Sequence, residues 1–358
     1  MTGSGLPFPI LQALVGDEEV GAFFSNEAEL AAMLRVEVAL AEAEAELGLI
    51  GEDAADRIAS ACKGFVPDWN ALAKGLAQDG VAVPEFVRQL RRAVGEPHDK
   101  AVHLGATSQD IVDTALILRL KDLAAVFSRR IETLIDALQR LGERDGSIAL
   151  MAHTRMQRAL PFTAADKIKT WIQPLERHAE TLRELLPRLL VIQLGGPVGT
   201  RAELRDHGDA VADSMAERLG LGFAPAWHAQ RDRIGEFGAW LSLLSGTLGK
   251  FGQDLALMAQ NEVGEVALPG GGGSSAMAHK SNPVQAEVLV ALARFNVGLV
   301  GILHQGLVHE NERSGTAWTL EWLVLPQMAV AAGAGLAKAH ALAEGMRFVA
   351  SAPPERKA

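Results

Sequence analysis

The feature that most limits how this chain can fold is a set of three long apolar stripes. They occupy residues 116–141, 237–258 and 288–302, and in each stripe apolar residues recur at spacings of three and four. This spacing places every stripe on one face of a helix. Stripes of this length predict long helices that pack against each other along most of their length, as in a helix bundle.

The second stripe contains three glycines, Gly246, Gly249 and Gly252, at three-residue spacing. Each glycine lowers helix stability by about 1 kcal/mol relative to alanine. The simplest compensation is the close approach of a neighbouring helix, because a residue without a side chain leaves room for another backbone. We therefore expect a second helix to contact the chain here.

The first part of the chain has a different pattern. A helix is predicted to begin at Asn26, with this residue as its N-cap, and to end near Leu47. Shorter segments that contain proline and glycine follow. No strand pattern is convincing, so the sequence predicts an all-α fold. The expected division is a small N-terminal helical domain at 1–107, a central long-helix bundle at 108–345, and a tail at 346–358.

Composition excludes several classes of function. The net charge of −10 offers no basic surface for nucleic acid. The single cysteine, Cys62, excludes an internal disulfide and a multi-cysteine metal site, and no His, Asp or Glu spacing indicates another metal site. No uninterrupted apolar run reaches the roughly 18–20 residues that cross a bilayer, and the N-terminus lacks the positive charge of a signal peptide. We expect a cytoplasmic protein without a membrane segment.

The segment 268–283 is the strongest chemical signal in the chain. It contains four consecutive glycines followed by Ser274 and Ser275, then Lys280, and it ends with Asn282 and a proline. Asn followed by Pro predicts a helix start, with Asn as N-cap. The loop would then bring serine and lysine side chains to the positive end of a helix, which suits a substrate carboxylate. A flexible linker would explain the glycines but not the residues that follow them.

Three segments resemble the fumarase/aspartase superfamily. From Gly273 the chain matches seven of the eight fixed positions of the pattern G-S-S-x-M-P-x-K-x-N-P, with Ala278 in place of the first proline. From His103 it resembles H-x-G-x-T-S-x-D-x-x-D-T, and from Thr154 it resembles T-H-x-Q-x-A-x-P. Weaker matches are Gln-Arg-Asp-Arg and His-Glu-Asn-Glu-Arg-Ser further along. The resemblance covers residues 20–325.

The resemblance implies a fumarase/aspartase-like long-helix bundle that forms a homotetramer. In this superfamily the three segments come from three different subunits and meet at each active site, and the chemistry needs no cofactor and no metal. Superfamily chains usually continue into a third, small C-terminal helical domain. The sequence stops at residue 358, so this domain is expected to be missing.

The resemblance also assigns site residues. Ser274 is the expected catalytic serine, which moves a proton on the carbon next to a carboxylate, and Lys280 stabilises its alkoxide. Thr107 and Ser108 offer hydroxyl and backbone donors at the start of a long helix, and Asn282 helps Lys280 to hold the substrate carboxylate. The other expected substrate-binding residues are His103, Gln157, Ser275, Met277, Glu287 and Arg313. For Arg313 a surface ion pair is an equally good interpretation.

One position departs from the superfamily's pattern. Its lyases usually carry a histidine after Thr154, paired with a glutamate that corresponds to Glu287, but here the residue is Arg155. An arginine cannot transfer a proton near neutral pH, whereas it binds a carboxylate with two parallel hydrogen bonds. His153, two residues earlier, is a candidate replacement for the lost acid/base group. The change disfavours release of fumarate and favours a leaving group that is itself a carboxylate.

Such a reaction is the cycloisomerisation of a carboxymuconate, and the matched segments look most like those of the prokaryotic 3-carboxy-cis,cis-muconate cycloisomerases. The resemblance thus implies a small tricarboxylate substrate, which gains a lactone ring when one carboxylate adds to a double bond. Two alternatives remain open. One is a lyase that releases fumarate from adenylosuccinate or argininosuccinate. The other is a non-catalytic scaffold that keeps the superfamily fold.

Overall fold

The structure is a computed structural model that describes residues 9–270, 272–273 and 281–350. The N-terminal helices are α1 (Gln12–Val15), α2 (Glu18–Ala22), α3 (Asn26–Glu46), α4 (Glu52–Lys63), α5 (Trp69–Asp79) and α6 (Val83–Val94). The later helices are α7 (Ser108–Asp145), α8 (Ala164–Leu189), α9 (Gly208–Leu219), α10 (Asp232–Met258), α11 (Val284–Gln305) and α12 (Gly315–Gly345). Short 3-10 helices cover Pro9–Leu11, His98–Ala101 and Ala202–His207. The mostly helical fold confirms the predicted class.

The three predicted stripes lie on α7, α10 and α11, as expected. The apolar residues of the first two stripes share one large core with α8 and α12. Val288 and Leu292 of the third stripe pack in a smaller cluster with α12, whereas Phe295 and Ile302 are exposed, so the predicted packing of this stripe holds only in part. A second core joins α3 to α6 with the first turns of α7 and with α9. Because α7 contributes to both cores, its N-terminal end lies where the N-terminal helices meet the bundle. The proposed domain boundary at residue 107 remains a prediction.

Two of the three glycines on α10 mark a close helix contact, as predicted. A Cβ atom on Gly249 would lie 2.5 Å from the Cβ of Ala293, and one on Gly252 would lie 2.5 Å from the carbonyl oxygen of Ala286. The helix that approaches is therefore α11. At Gly246 a Cβ would meet nothing within 4 Å, so the prediction is wrong for this residue.

Two predicted helix caps are displaced by one residue. Ser25, not Asn26, is the N-cap of α3, because its hydroxyl accepts a hydrogen bond from the N–H of Ala28. Pro283, not Asn282, precedes the first residue of α11. In both cases the correct region was identified. Ser25 and Asn26 have similar capping preference and cannot be separated by sequence pattern alone, whereas Pro283 lies one position before N1, where proline is usually found.

The structure contains a β-hairpin that the sequence analysis did not predict. Strand β1 (Ala149–Thr154) pairs antiparallel with β2 (Gln157–Thr163), and a register shift lies between Met151 and His153. Most of β2 is exposed, so its side chains do not show the alternation of a half-buried strand. The turn residues also lack the usual Asn-Gly signal.

Two short strand pairs lie near the glycine-rich segment. Strand β3 (Val266–Ala267) pairs with β6 (Arg347–Phe348), and β4 (Gly272–Gly273) pairs with β5 (Ser281–Asn282). The backbone N–H of Phe348 also donates to the carboxylate of Asp145 over 2.9 Å. Residues 346–348, predicted to begin a tail, are therefore packed against the base of the glycine-rich segment.

Helices α11 and α12 are both long and apolar enough to cross a membrane by length and composition. The prediction considered only uninterrupted apolar runs and did not identify them. Most of the apolar part of α12 is buried inside the chain, as in a core helix. Helix α11 buries less than half of its apolar part and leaves Phe295, Val297 and Ile302 exposed.

Candidate functional site

The turn that precedes α7 brings several predicted site residues together. His103 and Gly105 have positive φ angles of 65° and 64°, which reverse the chain just before the helix. A Cβ on Gly105 would lie 2.5 Å from a methyl carbon of Leu204, so only glycine fits here. Ser108 begins α7 and Thr107 is its N-cap, as predicted.

The carboxylate of Asp110 fixes this turn to the rest of the chain. Asp110 is completely buried and accepts hydrogen bonds from five groups between 2.7 and 3.1 Å away. The five groups are the backbone N–H of Thr107, Gly195 and Gly196, the side-chain amide of Gln193 and the Nε2 of His228. Asp110 is a fixed position of the matched segment that begins at His103, but the sequence pattern does not indicate its role. A pattern cannot show partners that lie 83 to 118 residues away.

A buried ion-pair network lies one turn further along α7. The guanidinium of Arg231 donates to both oxygens of Asp113, at 2.6 and 3.0 Å, and to both oxygens of Glu321, at 2.8 and 2.5 Å. The indole N–H of Trp318 donates to Asp113 over 3.1 Å. Burial alone would lower the pKa of Arg231, but the two carboxylates outweigh it and raise this pKa. The network joins α7, α10 and α12.

Arg313 lies beside the start of α7. Its guanidinium donates to the hydroxyl of Thr107 over 3.2 Å and to the carbonyl oxygen of Pro197 over 2.9 Å. Within residues 9–270, 272–273 and 281–350, no carboxylate forms an ion pair with it. This favours a site residue over the alternative of a surface ion pair, and its role in binding stays a prediction.

The imidazole of His103 forms a hydrogen bond with a glutamate of α3. The Nδ1 atom of His103 lies 2.7 Å from the Oε1 of Glu37, which is 1% exposed. Burial disfavours the charged imidazole, but the charge and hydrogen bond of Glu37 outweigh burial and raise the pKa of His103. His103, whose charged form is favoured by Glu37, and the neighbouring Arg313 thus lie near a helix N-terminus, a combination that attracts carboxylates.

The tip of the hairpin carries another group of predicted residues. Arg155 and Met156 form the two-residue turn, with φ angles of 48° and 66°. His153, Arg155 and Gln157 are all exposed, and Met156 is 78% exposed. The tip therefore projects away from the chain that makes it. Within this single chain it does not approach the turn at the start of α7 closely enough for any hydrogen bond among the described residues.

The glycine-rich segment 268–283, which is predicted to carry catalytic residues, is described only at its two ends. Ser274, Ser275, Met277 and Lys280 lie outside the described residues. The β4–β5 pair closes the base of the loop, and a Cβ on Gly272 would lie 2.6 Å from a methyl carbon of Val284. Asn282 is half-buried in β5, directly before α11.

Glu287 lies in the first turn of α11 and is exposed. Among the described residues of one chain it forms no ion pair with Arg155, so the predicted contact between them is not made within the chain. Two surface clefts of about 550 and 310 Å³ lie along α7, and no predicted site residue lines either of them. Within one chain, His103, Thr107, Ser108 and Arg313 are thus assembled at the α7 turn, whereas His153, Arg155 and Gln157 lie on the separate hairpin tip.

The chain is similar to known proteins along most of its length. A family profile described as lyase matches residues 17–298. A 3-carboxy-cis,cis-muconate cycloisomerase of Pseudomonas aeruginosa is 41% identical over 332 residues, which are 91% of this chain and 72% of the relative. The crystal structure of a 3-carboxy-cis,cis-muconate lactonizing enzyme from Pseudomonas putida matches with a TM-score of 0.90 at 38% identity, over 96% of this chain and 78% of that one. An N-acetyl-S-(2-succino)cysteine lyase of Enterococcus italicus is 34% identical, over 92% of this chain and 73% of the relative.

Proposed function

Because this chain belongs to the lyase family of fumarase and aspartase, we propose that it is an enzyme that closes 3-carboxy-cis,cis-muconate to 4-carboxymuconolactone. Such a reaction serves the breakdown of aromatic compounds such as protocatechuate. The similarity to two enzymes named for this substrate supports the proposal. The family alone does not select the substrate, since a succinocysteine lyase is also similar to the chain.

The observation that carries the proposal is Arg155 at the hairpin tip. A lyase that releases fumarate needs a group that can give a proton to the leaving group or take one from it. Arginine keeps its charge at any physiological pH and cannot do this. In a ring closure the attacking group is a carboxylate that carries no proton, so a fixed cation that orients it is sufficient.

The proposed step balances without an oxidant or a metal. One carboxylate oxygen of the substrate forms a C–O bond to a double-bond carbon, and the π electrons move to the carbon next to another carboxylate. That carboxylate carries the charge as an aci-carboxylate until Ser274 donates its hydroxyl proton to the carbon. The resulting serine alkoxide is stabilised by Lys280 and the loop amides, and it regains a proton from solvent.

The substrate has three carboxylates, and the proposed site supplies cations for them. Arg155 binds the attacking carboxylate and Lys280, with Asn282, binds the one that becomes the aci-carboxylate. Arg313 and the hydroxyl of Thr107 face the third from the α7 turn, since the backbone N–H of Thr107 is already bonded to Asp110. The other proposed contacts come from Ser108, Gln157, Ser275, Met277 and Glu287.

A complete site then requires several copies of the chain. In a single chain the hairpin tip and the apolar face of α11 are exposed to solvent. A homotetramer with sites shared between subunits would bury this face and bring the hairpin tip of one copy to the α7 turn of another. We therefore propose a cytoplasmic homotetramer whose partners are its own copies.

One assay separates the proposal from its alternatives. The protein is incubated with 3-carboxy-cis,cis-muconate, and loss of the diene absorbance is followed. Parallel reactions contain adenylosuccinate, argininosuccinate or N-acetyl-S-(2-succino)cysteine, and fumarate is measured. Loss of the diene without fumarate supports the proposal, whereas fumarate with a persistent diene contradicts it.

The second alternative, a scaffold without activity, predicts no turnover of any substrate. The control is Ser274→Ala, which removes the proposed proton donor. It should lose most of the diene-consuming activity while its circular dichroism stays unchanged. If this variant keeps wild-type turnover, the proton comes from another group, and His153 is then the next candidate.

A further inference from the structure

Helix α3 carries two buried carboxyl groups behind the turn that holds His103. Glu37 is 1% exposed and Glu44 is completely buried. They are seven residues apart, two turns of the helix, so both lie on the same face. Among the described residues, neither forms an ion pair with a lysine or an arginine, and the one charged partner of Glu37 is His103. A buried carboxylate whose one charged partner is a histidine costs free energy unless the two groups form a hydrogen-bonded ion pair.

We propose that Glu37 is a positioning residue, which holds His103 as a cation whose free Nε2–H binds a carboxylate of the substrate. The proposal rests on the function proposed above, because it needs a substrate with several carboxylates. It assigns to Glu37, a residue 66 positions away from His103, a part in substrate binding that it performs without touching the substrate.

The contact determines which ring nitrogen carries hydrogen. An ionised carboxylate only accepts hydrogen bonds, so the Nδ1 of His103 must be the donor across the 2.7 Å contact to Glu37. A neutral imidazole would then have a bare Nε2, which is an acceptor and repels a carboxylate. The protonated ring instead donates from both nitrogens. His103 can therefore serve a carboxylate only while it is charged.

The free side of the ring is available to a ligand. The side chain of His103 is 14% exposed, and within the described ranges its Nε2 forms no hydrogen bond. His103 has a positive φ angle and begins the short segment that ends at Thr107, the N-cap of α7. A carboxylate bound at the N-terminus of α7 would thus lie close to this segment.

The other charged groups around His103 have opposing effects. Asp110 on α7 favours the charged ring, and Arg91 on α6, which donates to the carbonyl oxygen of Val102 over 3.0 Å, opposes it. Burial raises the pKa of Glu44 to about 9, with a further contribution from Glu37. Glu44 is therefore protonated and neutral at neutral pH, so the charge beside His103 belongs to Glu37.

Cys62 on α4 adds no charge to this cluster, because burial, with a contribution from Glu37, raises the pKa of its thiol to about 12. The cluster thus contains one carboxylate that carries charge and one that does not, on the same helix and equally buried. This gives a matched pair of substitutions. Glu37→Gln removes a charge, whereas Glu44→Gln replaces one neutral group with another of the same shape.

The decisive experiment measures the protonation of His103 in both variants. Hydrogen exchange at the imidazole C2 position, followed by mass spectrometry from about pH 5 to about pH 9, gives the titration of each histidine without any substrate. We expect Glu37→Gln to lower the titration of His103 by about one pH unit or more, and Glu44→Gln to leave it in place. Equal titration in wild type and Glu37→Gln would overturn the proposal.

Kinetics then test the consequence for binding. With 3-carboxy-cis,cis-muconate as substrate, the KM of Glu37→Gln should be about tenfold higher than that of the wild type at about pH 8, and kcat should change little. The effect on KM should be smaller at about pH 6. Glu37→Asp, which keeps the charge, should recover part of this loss. A merely structural role would lower kcat/KM by the same factor at every pH, and that result would contradict the proposal.

The two measurements separate this inference from the proposed function. If the wild type does not convert the muconate, the function is wrong, and the exchange experiment still decides whether Glu37 holds the charge of His103. If Glu37→Gln does not fold, the wild type provides the test by itself. His103 should then titrate above His178, whose pKa burial and Arg177 lower. The reverse order would refute the pairing.

Discussion

The turn before α7 and the tip of the β-hairpin both carry predicted site residues, but they are stabilised in opposite ways. The turn is held by the buried carboxylate of Asp110 and by contacts that join four different parts of the chain. The tip at Arg155 and Met156 is exposed, and beyond the strand ladder nothing in the described chain holds it. The turn is therefore preorganised by the fold, whereas within the described part of one chain the tip depends on its strand ladder alone.

Substitution of Asp110 should have the largest effect, because it acts on the preorganised turn. Asp110→Ala leaves five donors without their acceptor, most of them buried. We expect the free energy of unfolding to fall by about 4 kcal/mol or more, measured by chemical denaturation. Asp122→Ala, at an exposed position on the same helix, is the control and should change stability little. Equal stability of the two variants would mean that the turn is not held in this way.

Substitution of Arg155 should separate activity from stability. Arg155→Ala removes a charge-assisted hydrogen-bonding group, and we expect kcat/KM to fall between roughly ten- and a hundredfold. Because the tip is exposed, thermal unfolding should shift little. Arg158→Ala, exposed on the same hairpin, controls for the loss of a positive charge. A similar loss of activity in both variants would show that general charge at the tip, and not Arg155, matters.

The smallest effect is expected from the turn conformation of Met156. Its φ angle of 66° is unfavourable for any residue with a side chain, so Met156→Gly should stabilise the hairpin by up to about 1 kcal/mol. Thermal unfolding measures this, and Met156→Ala, which keeps the unfavourable conformation, is the control. If glycine is no better than alanine, the tip adopts another conformation in the assembled protein, and the contrast with the α7 turn becomes sharper.

The sequence predicted the long helices because their cores repeat over many turns, so single exceptions do not hide the pattern. It missed the hairpin because β2 is mostly exposed and the turn at Arg155 contains no glycine or asparagine. A motif located the α7 turn, but the sequence did not indicate that Asp110 and Glu37 form hydrogen bonds that hold this turn and His103. Those roles depend on partners that only the folded chain brings near. His103 lies 66 residues from Glu37 in the sequence, and most donors to Asp110 lie 83 or more residues from it.

The pairing of β6 with β3 has a practical meaning for protein engineering. Phe348 and Arg347 are anchored to the same short ladder from which the glycine-rich segment departs. Any label, tag or fused domain attached after residue 350 therefore starts its path next to the base of that segment.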